Sequence, residues 1–256
     1  MRSFNPEQFL EICKKNALMP KQRQTIGTLR EKTLHAVLKQ YYEPFSAMHE
    51  VKIGKYIADI INEDGVLEIQ TGSFTSLQKK LDCFLTVTNV TIVCPVVRCK
   101  WLVWVEPETG DLVSRRKSPK TGAAFDVCYQ LCSILPYLTN PKLTVCLPLV
   151  DIEEYRMLCG WDQSKKRGSR RIERIPLSLA AEYRLNSRED YRRLLPLSAM
   201  EPFTSATLAR LLNRSLKRTR PVIKVLETVG VIKRRGKSGR HILYEINCTA
   251  DTENLC

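Results

Sequence analysis

The residues of this chain best suited to chemistry are two carboxylates, Asp59 and Glu68, and one amide, Gln70, in a short and largely apolar stretch. Carboxylate oxygens are hard ligands of the kind that Mg²⁺ and Mn²⁺ prefer. Two carboxylates crowded on one face of a hairpin also repel each other, and a bound cation removes that repulsion. The stretch is therefore a candidate metal site, and an exposed hairpin whose polar face meets water is the simpler alternative.

Hairpin geometry decides whether these three side chains meet. A two-residue loop at Glu63-Asp64 places Asp59 directly opposite Glu68. A loop at Asp64-Gly65 places Asp59 opposite Gln70 instead. In either register the three side chains share one face, because successive side chains of a strand alternate between faces. A three-residue loop would put them on opposite faces and remove the metal hypothesis.

The pair is predicted to lie on a hairpin held between two helices. Apolar residues at helical spacing predict a helix over Arg23–Tyr42, and Glu31 borders its apolar stripe and can reach the sheet. After the hairpin, Thr75 or Ser76 can cap a helix that ends near Leu85. A continuous apolar run then predicts a strand buried on both faces. The predicted strands are Glu50–Ile53, Tyr56–Ile61, Val66–Gln70 and Val90–Val97.

This order of elements resembles the PD-(D/E)XK nuclease superfamily over about Gln22–Pro95. Asp59 stands at the Asp of the motif, and Glu68-Ile69-Gln70 at its (D/E)-x-K. The resemblance implies a restriction-endonuclease-like mixed sheet flanked by helices, and metal-dependent hydrolysis of phosphodiester bonds. It also implies that Asp59 and Glu68 bind Mg²⁺ or Mn²⁺. Gln70 would orient the water or the phosphate, and Glu31 would complete a second metal position.

Two residues depart from the superfamily pattern. Asp59 follows Ala58 rather than Pro, and Gln70 stands where the usual residue is Lys. Some restriction enzymes of the superfamily carry Gln at that position. Lys79 or Lys80, on the following helix, is the candidate source of the missing positive charge.

From Glu201 onward the pattern is helix, turn, helix and a glycine-tipped basic hairpin. Thr204 or Ser205 caps the first helix. The second helix contains Pro221 and is predicted to start near Arg218, because proline fits only the first turn of a helix. The order resembles a winged helix-turn-helix, whose second helix enters the major groove while the hairpin lies against the DNA backbone. The resemblance implies DNA contacts by Lys217, Arg218, Arg220 and Lys224 on the helix and by Arg234, Arg235, Lys237 and Arg240 on the hairpin.

Positive charge is concentrated in two stretches. The formal net charge is +14; Trp161–Arg174 holds six basic and two acidic residues, and Glu201–Asn247 holds eleven and three. Clustering of this kind suits a polyanion, and nucleic acid is the commonest one. The first stretch has no apolar period and is broken by Gly168, so it is predicted to be a DNA-binding loop. Its basic residues are Lys165, Lys166, Arg167, Arg170, Arg171 and Arg174.

The middle of the chain continues to alternate strands and helices, which is typical of an α/β domain. Trp101 and Trp104 lie in an apolar strand; core packing is the expectation, and stacking on nucleic-acid bases is the alternative. The remaining predictions are helices over Ala123–Leu135, Asp151–Leu158 and Ser187–Leu195, a strand over Leu143–Val150, and one or two short strands within Arg174–Leu185.

Length and composition set the wider expectations. With 256 residues, 43 % of them apolar, the chain can bury a sizeable core. It lacks both an apolar run of about 18 residues and a cationic-then-apolar leader, so we expect a cytoplasmic protein without a membrane span. The ten cysteines form no CxxC pair and are expected to be free thiols, with a four-cysteine metal or iron–sulfur site as the alternative. Three parts are predicted: a nuclease-like α/β domain with an N-terminal helical arm (1–160), a basic connecting segment (161–200) and a winged helix-turn-helix (201–256).

Three functions are compatible with these patterns. The first is a Mg²⁺-dependent deoxyribonuclease delivered to DNA by its C-terminal domain. The second is a DNA-binding regulator whose nuclease-like domain is catalytically inactive, and Gln70 in place of Lys is its main support. The third is a structural or interaction protein. DNA is the expected partner, and homodimerisation is left open.

Overall fold

The computed structural model describes residues 4–17, 33–157, 170–195 and 202–247, which form a mixed α/β fold with one large sheet flanked by helices. The helices are α1 (Pro6–Ala17), α2 (Thr33–Tyr42), α3 (Gln78–Val87), α4 (Cys128–Leu131), α5 (Arg188–Arg193), α6 (Ser205–Leu211) and α7 (Leu216–Thr228). The strands are β1 (His49–Ile53), β2 (Tyr56–Asn62), β3 (Gly65–Ile69), β4 (Val90–Val93), β5 (Val96–Val105), β6 (Leu112–Lys117), β7 (Leu143–Met157), β8 (Arg170–Leu185), β9 (Ile232–Ser238) and β10 (His241–Ile246).

The large sheet is arranged around the long strand β7. β1, β2 and β3 form an antiparallel meander, and β3 pairs in parallel with β4. β4 and β5 follow one another along one edge of β7, because Val93 pairs with Cys146 and Val96 with Leu149 in the same register. β8 lies antiparallel along the other edge of β7, and β6 pairs antiparallel with β5.

Helices cover both faces of this sheet. On one face α1 and α2 bury apolar residues such as Phe9 and Val37 in one core cluster. On the other face α3, α4 and the C-terminal helices form a second cluster, which contains Leu81. Because side chains alternate along β7, Cys146 belongs to the first core and Val145 to the second. None of the helices in the described part of the chain is long and apolar enough to cross a bilayer.

The tight connection between β2 and β3 depends on Gly65. Its φ is +113°, and a Cβ at this position would lie 2.3 Å from the carbonyl oxygen of Asn89. That carbonyl accepts a hydrogen bond from the amide of Val66 at 2.9 Å. Only glycine therefore lets β3 begin so close to the residue that precedes β4.

Two predictions for the second half of the sheet were wrong. The described part of the predicted helix Asp151–Leu158 is strand, because β7 continues through Met157 and pairs with β5 on one side and β8 on the other. Arg170 and Arg171 do not lie in a loop but begin the 16-residue strand β8. The predicted strand structure within Arg174–Leu185 is confirmed, although the segment is part of this one long strand. The start of β8 was predicted as a loop because it is rich in charged residues. Charged residues can lie in a strand when they have partners on the neighbouring strand, as Arg174 has in Glu154 of β7.

Two helix predictions also need correction. The segment Ala123–Leu135 is not one helix, since α4 is flanked by 3₁₀ turns over Ala124–Val127 and Cys132–Tyr137. The last helix, α7, begins at Leu216 rather than near Arg218. Pro221 therefore lies inside α7, where it removes one backbone donor from the helix but leaves the helix continuous.

The C-terminal part is a helix, a turn, a helix and a hairpin. α6 and α7 are joined through Asn213–Ser215, and β9 pairs antiparallel with β10. Phe203, which precedes α6, exchanges two backbone hydrogen bonds with Tyr244 of β10, at 2.9 and 2.8 Å. Thr204 caps α6, since its side chain accepts from the amide of Thr207 at 3.2 Å. Apolar residues of α6 and α7 belong to the same core cluster as α3 and α4.

Candidate functional site

The hairpin of β2 and β3 adopts the first of the two predicted registers. Asn62 pairs with Gly65 across the two-residue loop Glu63-Asp64, and the ladder continues to the pair of Ile60 and Leu67. Extended by one residue, this register would place Asp59 opposite Glu68. The predicted two-residue loop is confirmed. The shared face of the two carboxylates stays a prediction, because Glu68 contacts Lys80 of α3 whereas Asp59 contacts His35 of α2, and the two helices cover opposite faces of the sheet.

Side chains replace backbone acceptors at this point of the hairpin. The amide of Asp59 donates to Glu68 Oε1 over 3.3 Å, and the amide of Ile69 donates to Asp59 Oδ2 over 2.8 Å. Each carboxylate thus accepts a hydrogen bond from a backbone N–H of the opposite strand. These charge-assisted bonds fix both carboxylates within the hairpin.

Lys80 of α3 supplies the positive charge beside the carboxylates. Its Nζ lies 3.0 and 2.9 Å from the two carboxylate oxygens of Glu68 and donates to the carbonyl of Ile57 over 2.7 Å. Glu68 is fully buried, whereas the side chain of Lys80 is 27 % exposed. Of the two lysines considered from the sequence, Lys80 is the one that reaches the pair, and Lys79 is exposed.

α2 contributes two more basic side chains. His35 Nε2 lies 3.4 Å from Asp59 Oδ2, and Lys39 Nζ lies 2.8 Å from Glu50 Oε1. The register of β1 and β2 places Glu50 beside Asp59. Carboxylates on three neighbouring strands therefore meet basic side chains from the helices on the two faces of the sheet.

Sequence reasoning missed His35, Lys39 and Glu50. A signal was present on α2, because His35 and Lys39 are four residues apart and so lie on one face of the helix. The predicted strand pairing also offered a signal, since the short turn after Ile53 fixes which residue of β1 lies beside Asp59.

The environment moves the pKa values of the two carboxyl groups in opposite directions. Burial and the neighbouring charge of Asp59 raise the pKa of Glu68, although Lys80 opposes this effect. Burial also acts to raise the pKa of Asp59, but hydrogen bonds from His35 and the amide of Ile69 outweigh it, and the net pKa is lowered. Asp59 therefore holds its negative charge more firmly than Glu68. Carboxylates with divided pKa values are common at functional sites.

The two other predicted site residues are less well defined. Gln70 follows β3 and is half-buried. Its backbone N–H donates to the carbonyl of Val93 over 2.8 Å. Alternation along the strand puts its side chain on the face of Glu68. Glu31 lies outside the described residues, so its role as an additional metal ligand stays a prediction.

The predicted DNA-contact residues of the C-terminal part lie at its surface. Acidic neighbours balance part of the hairpin charge, since Arg234 pairs with Glu227 at 2.8 Å and Arg235 with Glu245 at 3.6 Å. Lys237 forms no ion pair with a described residue. The exposed residues are Lys217, Arg218, Arg220 and Lys224 on α7 and Arg234, Arg235, Lys237 and Arg240 on the hairpin.

The predicted basic stretch is described only in part. Arg170 and Arg171 are exposed at the start of β8. Lys165, Lys166 and Arg167 lie outside the described residues, so their predicted contacts with DNA remain predictions.

Comparison with known proteins places this site within one family domain. A family model described as "Domain of unknown function (DUF8091)" matches residues 32–186. A protein of Treponema pallidum (strain Nichols) described as "Uncharacterized protein" is 26 % identical over 221 residues, which is 86 % of this chain and 87 % of the relative. No solved structure matches. The matched region spans β1 to β8 and includes Asp59, Glu68 and Lys80, whereas α6, α7, β9 and β10 lie beyond it.

Proposed function

The chain belongs to the family described as "Domain of unknown function (DUF8091)", and we propose that this domain is a metal-dependent nuclease that hydrolyses phosphodiester bonds in DNA. The observation that carries the proposal is the contact of Lys80 with both carboxylate oxygens of Glu68, on the strand that pairs with the strand of Asp59. It brings a lysine to one of the two carboxylates in the set that the PD-(D/E)XK resemblance implies. The lysine comes from the helix after the hairpin rather than from position 70.

The order of elements supports a restriction-endonuclease-like core. α2 is followed by the antiparallel strands β1 to β3, then by α3, and then by β4 in parallel with β3. This is the helix–hairpin–helix–strand order on which the resemblance rests. The hairpin, α2 and α3 bring their polar side chains together at Asp59.

Carboxylate oxygens are the class of ligand that a hard divalent cation prefers. Asp59 Oδ2 accepts from the amide of Ile69 and lies near His35 Nε2. Both carboxylate oxygens of Glu68 contact the ammonium of Lys80. Asp59 and Glu68 would hold Mg²⁺ or Mn²⁺. One oxygen of Glu68 would then bind the ion in place of its contact with the ammonium of Lys80. When bound, such an ion supplies an activated water and stabilises negative charge on the phosphate.

The side chains of the chain itself have separate tasks. Lys80 keeps Glu68 in place and puts a positive charge beside the scissile phosphate, where electrostatic stabilisation counts most. His35 fixes the orientation of Asp59 through Oδ2. Gln70 orients the water or the phosphate by hydrogen bonds, since an amide both donates and accepts.

In this proposal the C-terminal part is a winged helix-turn-helix that delivers the nuclease to DNA. Its support is the order α6, turn, α7 and hairpin, together with exposed cations along α7 and at the hairpin tip. Helices of this arrangement enter the major groove, and the hairpin follows the backbone.

Cleavage assays test the nuclease proposal. We expect the wild-type protein to cut plasmid and single-stranded DNA with Mg²⁺ or Mn²⁺, and Asp59→Asn to cut neither. Lys80→Ala should lower the cleavage rate by about 100-fold or more, the usual effect of losing one preorganised charge or donor. Lys79→Ala is the matched control, because Lys79 is exposed and precedes Lys80 on α3. Equal rates for Lys79→Ala and Lys80→Ala would reject the role of Lys80.

A DNA-binding regulator is the second candidate, and one observation favours it. Glu68 is fully buried and both its oxygens already bind Lys80, so the ion pair is complete without a metal. Thermal melts separate the two functions. A metal site stabilises the folded protein by about 2.7 kcal/mol when free metal is a hundredfold above Kd. A wild-type melting temperature that stays constant in millimolar Mn²⁺ would favour the regulator, and a shift that Asp59→Asn abolishes would favour the nuclease.

A further inference from the structure

Strands β5 to β8 carry a second group of basic residues on one face, far along the sheet from the hairpin. In one row across the strands, Arg116, Leu102, Glu154 and Arg174 are register partners. In the next row, Trp104 pairs with Arg156 of β7, which pairs with Arg171 of β8. Lys100 lies two residues before Leu102 and therefore on the same face. We call this surface the basic sheet face: Lys100, Trp104, Arg116, Arg156, Arg171 and Arg174.

A single buried carboxylate organises the basic sheet face. Glu154 is 1 % exposed. Its Oε1 accepts from Arg156 Nε over 2.7 Å, and its Oε2 lies 3.3 Å from Lys100 Nζ and 3.6 Å from Arg174 Nε. A buried carboxylate that binds three cations holds their stems in fixed positions.

Glu154 cannot neutralise the cations around it. The two register-paired rows hold four basic residues and one acidic residue, and Lys100 on the same face is a fifth basic residue. The side chains of Lys100, Arg156 and Arg174 remain 26, 31 and 25 % exposed, and Arg116 and Arg171 are exposed. A purely structural ion cluster would balance its charges, whereas an excess of positive charge that reaches solvent is complementary to a polyanion.

We propose that the basic sheet face binds a single strand of nucleic acid. A flat sheet face lacks the projecting helix or ribbon that enters a duplex groove. It suits a strand laid across it, with phosphates on the basic residues and an unpaired base stacked on an aromatic ring. Trp104 is half-buried, has Arg156 as its register partner on one side and Ser114 on the other, and provides that ring. The surface lies within the family domain and is separate from the C-terminal part.

Binding measurements with the full-length protein test this proposal. A fluorescein-labelled oligothymidylate is titrated in EDTA at several salt concentrations, so that the result does not depend on nuclease activity. Arg116→Ala/Arg171→Ala removes two exposed cations and leaves the ion pairs of Glu154 intact. Each lost phosphate contact on a single strand should reduce the slope of log K against log salt by about 0.7. The slope of the double variant, which loses two contacts, should therefore be lower by about 1.4.

Two further variants sharpen the test. Lys14→Ala/Lys15→Ala is the matched control, since both residues are exposed at the end of α1. Trp104→Leu should weaken binding by roughly 5- to 150-fold, the range for loss of one stacked base. Trp104→Phe should retain most of the affinity, which separates stacking from a loss of folding.

The outcomes are distinct. A reduced slope for Arg116→Ala/Arg171→Ala, with an unchanged slope for the lysine control, supports the proposal. Equal slopes for both double variants overturn it. If the arginine variant loses as much affinity for duplex DNA as for the oligothymidylate, the assignment to single strands is wrong. The loss should persist in a Lys237→Ala/Arg240→Ala background, because those residues lie on the C-terminal hairpin.

Discussion

At the scale of the residue, the buried pair of Glu68 and Lys80 makes the hairpin vulnerable to loss of one partner. Lys80→Met leaves Glu68 fully buried without a cation, and such unpaired charges typically cost about 3–5 kcal/mol. Adding Glu68→Leu should recover much of that loss, because an apolar pair avoids the desolvation penalty. Urea denaturation of the two variants measures the difference. Lys79→Met serves as the control, and a Lys80→Met protein as stable as this control would contradict the prediction.

Asp59 should govern the stability of the metal-free protein in acid. Its pKa is lowered in the folded state, so its ionisation stabilises the fold above the unfolded pKa of about 3.9. That contribution is lost as pH falls through the folded pKa. Asp59→Asn should therefore reduce the free energy of unfolding at neutral pH by about 1.5–3 kcal/mol, the usual size for hydrogen bonds to a charged group.

The control for this prediction is the pH dependence itself. Wild type and Asp59→Asn should converge in strong acid, where Asp59 is protonated in both the folded and the unfolded protein. Glu68 acts in the opposite sense, because its raised pKa makes ionisation unfavourable to folding as pH rises towards neutrality. Urea titrations at several pH values in EDTA measure both trends. A constant difference between the two proteins at every pH would contradict the role given to Asp59.

At the scale of the element, local chemistry predicted the hairpin because its turn and its apolar alternation agree. The sequence allowed a loop at Glu63-Asp64 or at Asp64-Gly65, and the observed pairing of Asn62 with Gly65 selects the first. The contacts of His35 and Lys80 could not be predicted, because they depend on how α2 and α3 cross the sheet. The strand β7 beyond Asp151 was missed for a similar reason: its residues suit a helix locally, and pairing with both β5 and β8 overrides that preference.

The turn between α6 and α7 is attached to the family domain by one bidentate ion pair. Arg214 Nε and Nη2 each lie 2.9 Å from a carboxylate oxygen of Asp126, and the guanidinium carbon lies 5.3 Å from the ring centroid of Phe125. Arg214→Ala should reduce stability by about 1.5–3 kcal/mol, since it removes charged hydrogen bonds that are largely shielded from solvent. Arg210→Ala is the matched control, because Arg210 is exposed on α6.

Chemical denaturation followed by tryptophan fluorescence measures this effect. Hydrogen bonds from Arg214 outweigh the burial of Asp126 and lower its pKa, so the contribution of the pair should fade in acid as Asp126 becomes protonated. If Arg214→Ala and Arg210→Ala denature at the same urea concentration, the ion pair does not attach the turn.

At the scale of the whole molecule, the C-terminal part is not a separately packed appendage. Leu208, Val222 and Val225 share one core cluster with Leu131 of α4 and Tyr191 of α5. Removing residues 201–256 would therefore expose apolar surface on the family domain and lower its stability, in addition to removing any DNA contacts. Point substitutions of surface charges are the cleaner way to locate DNA binding.

The last prediction uses such substitutions to separate two nucleic-acid surfaces on one chain. In the winged-helix proposal, Lys237 and Arg240 at the hairpin tip contact duplex phosphates. Lys237→Ala/Arg240→Ala should reduce the slope of log K against log salt for duplex DNA by about 1.8, at 0.9 per contact. The same variant should leave oligothymidylate binding largely intact, whereas Arg116→Ala/Arg171→Ala should show the reverse pattern. Lys14→Ala/Lys15→Ala should change neither slope. An unchanged duplex slope for Lys237→Ala/Arg240→Ala would mean that these two residues make no contacts with duplex phosphates, because each such contact contributes to the salt dependence through counterion release.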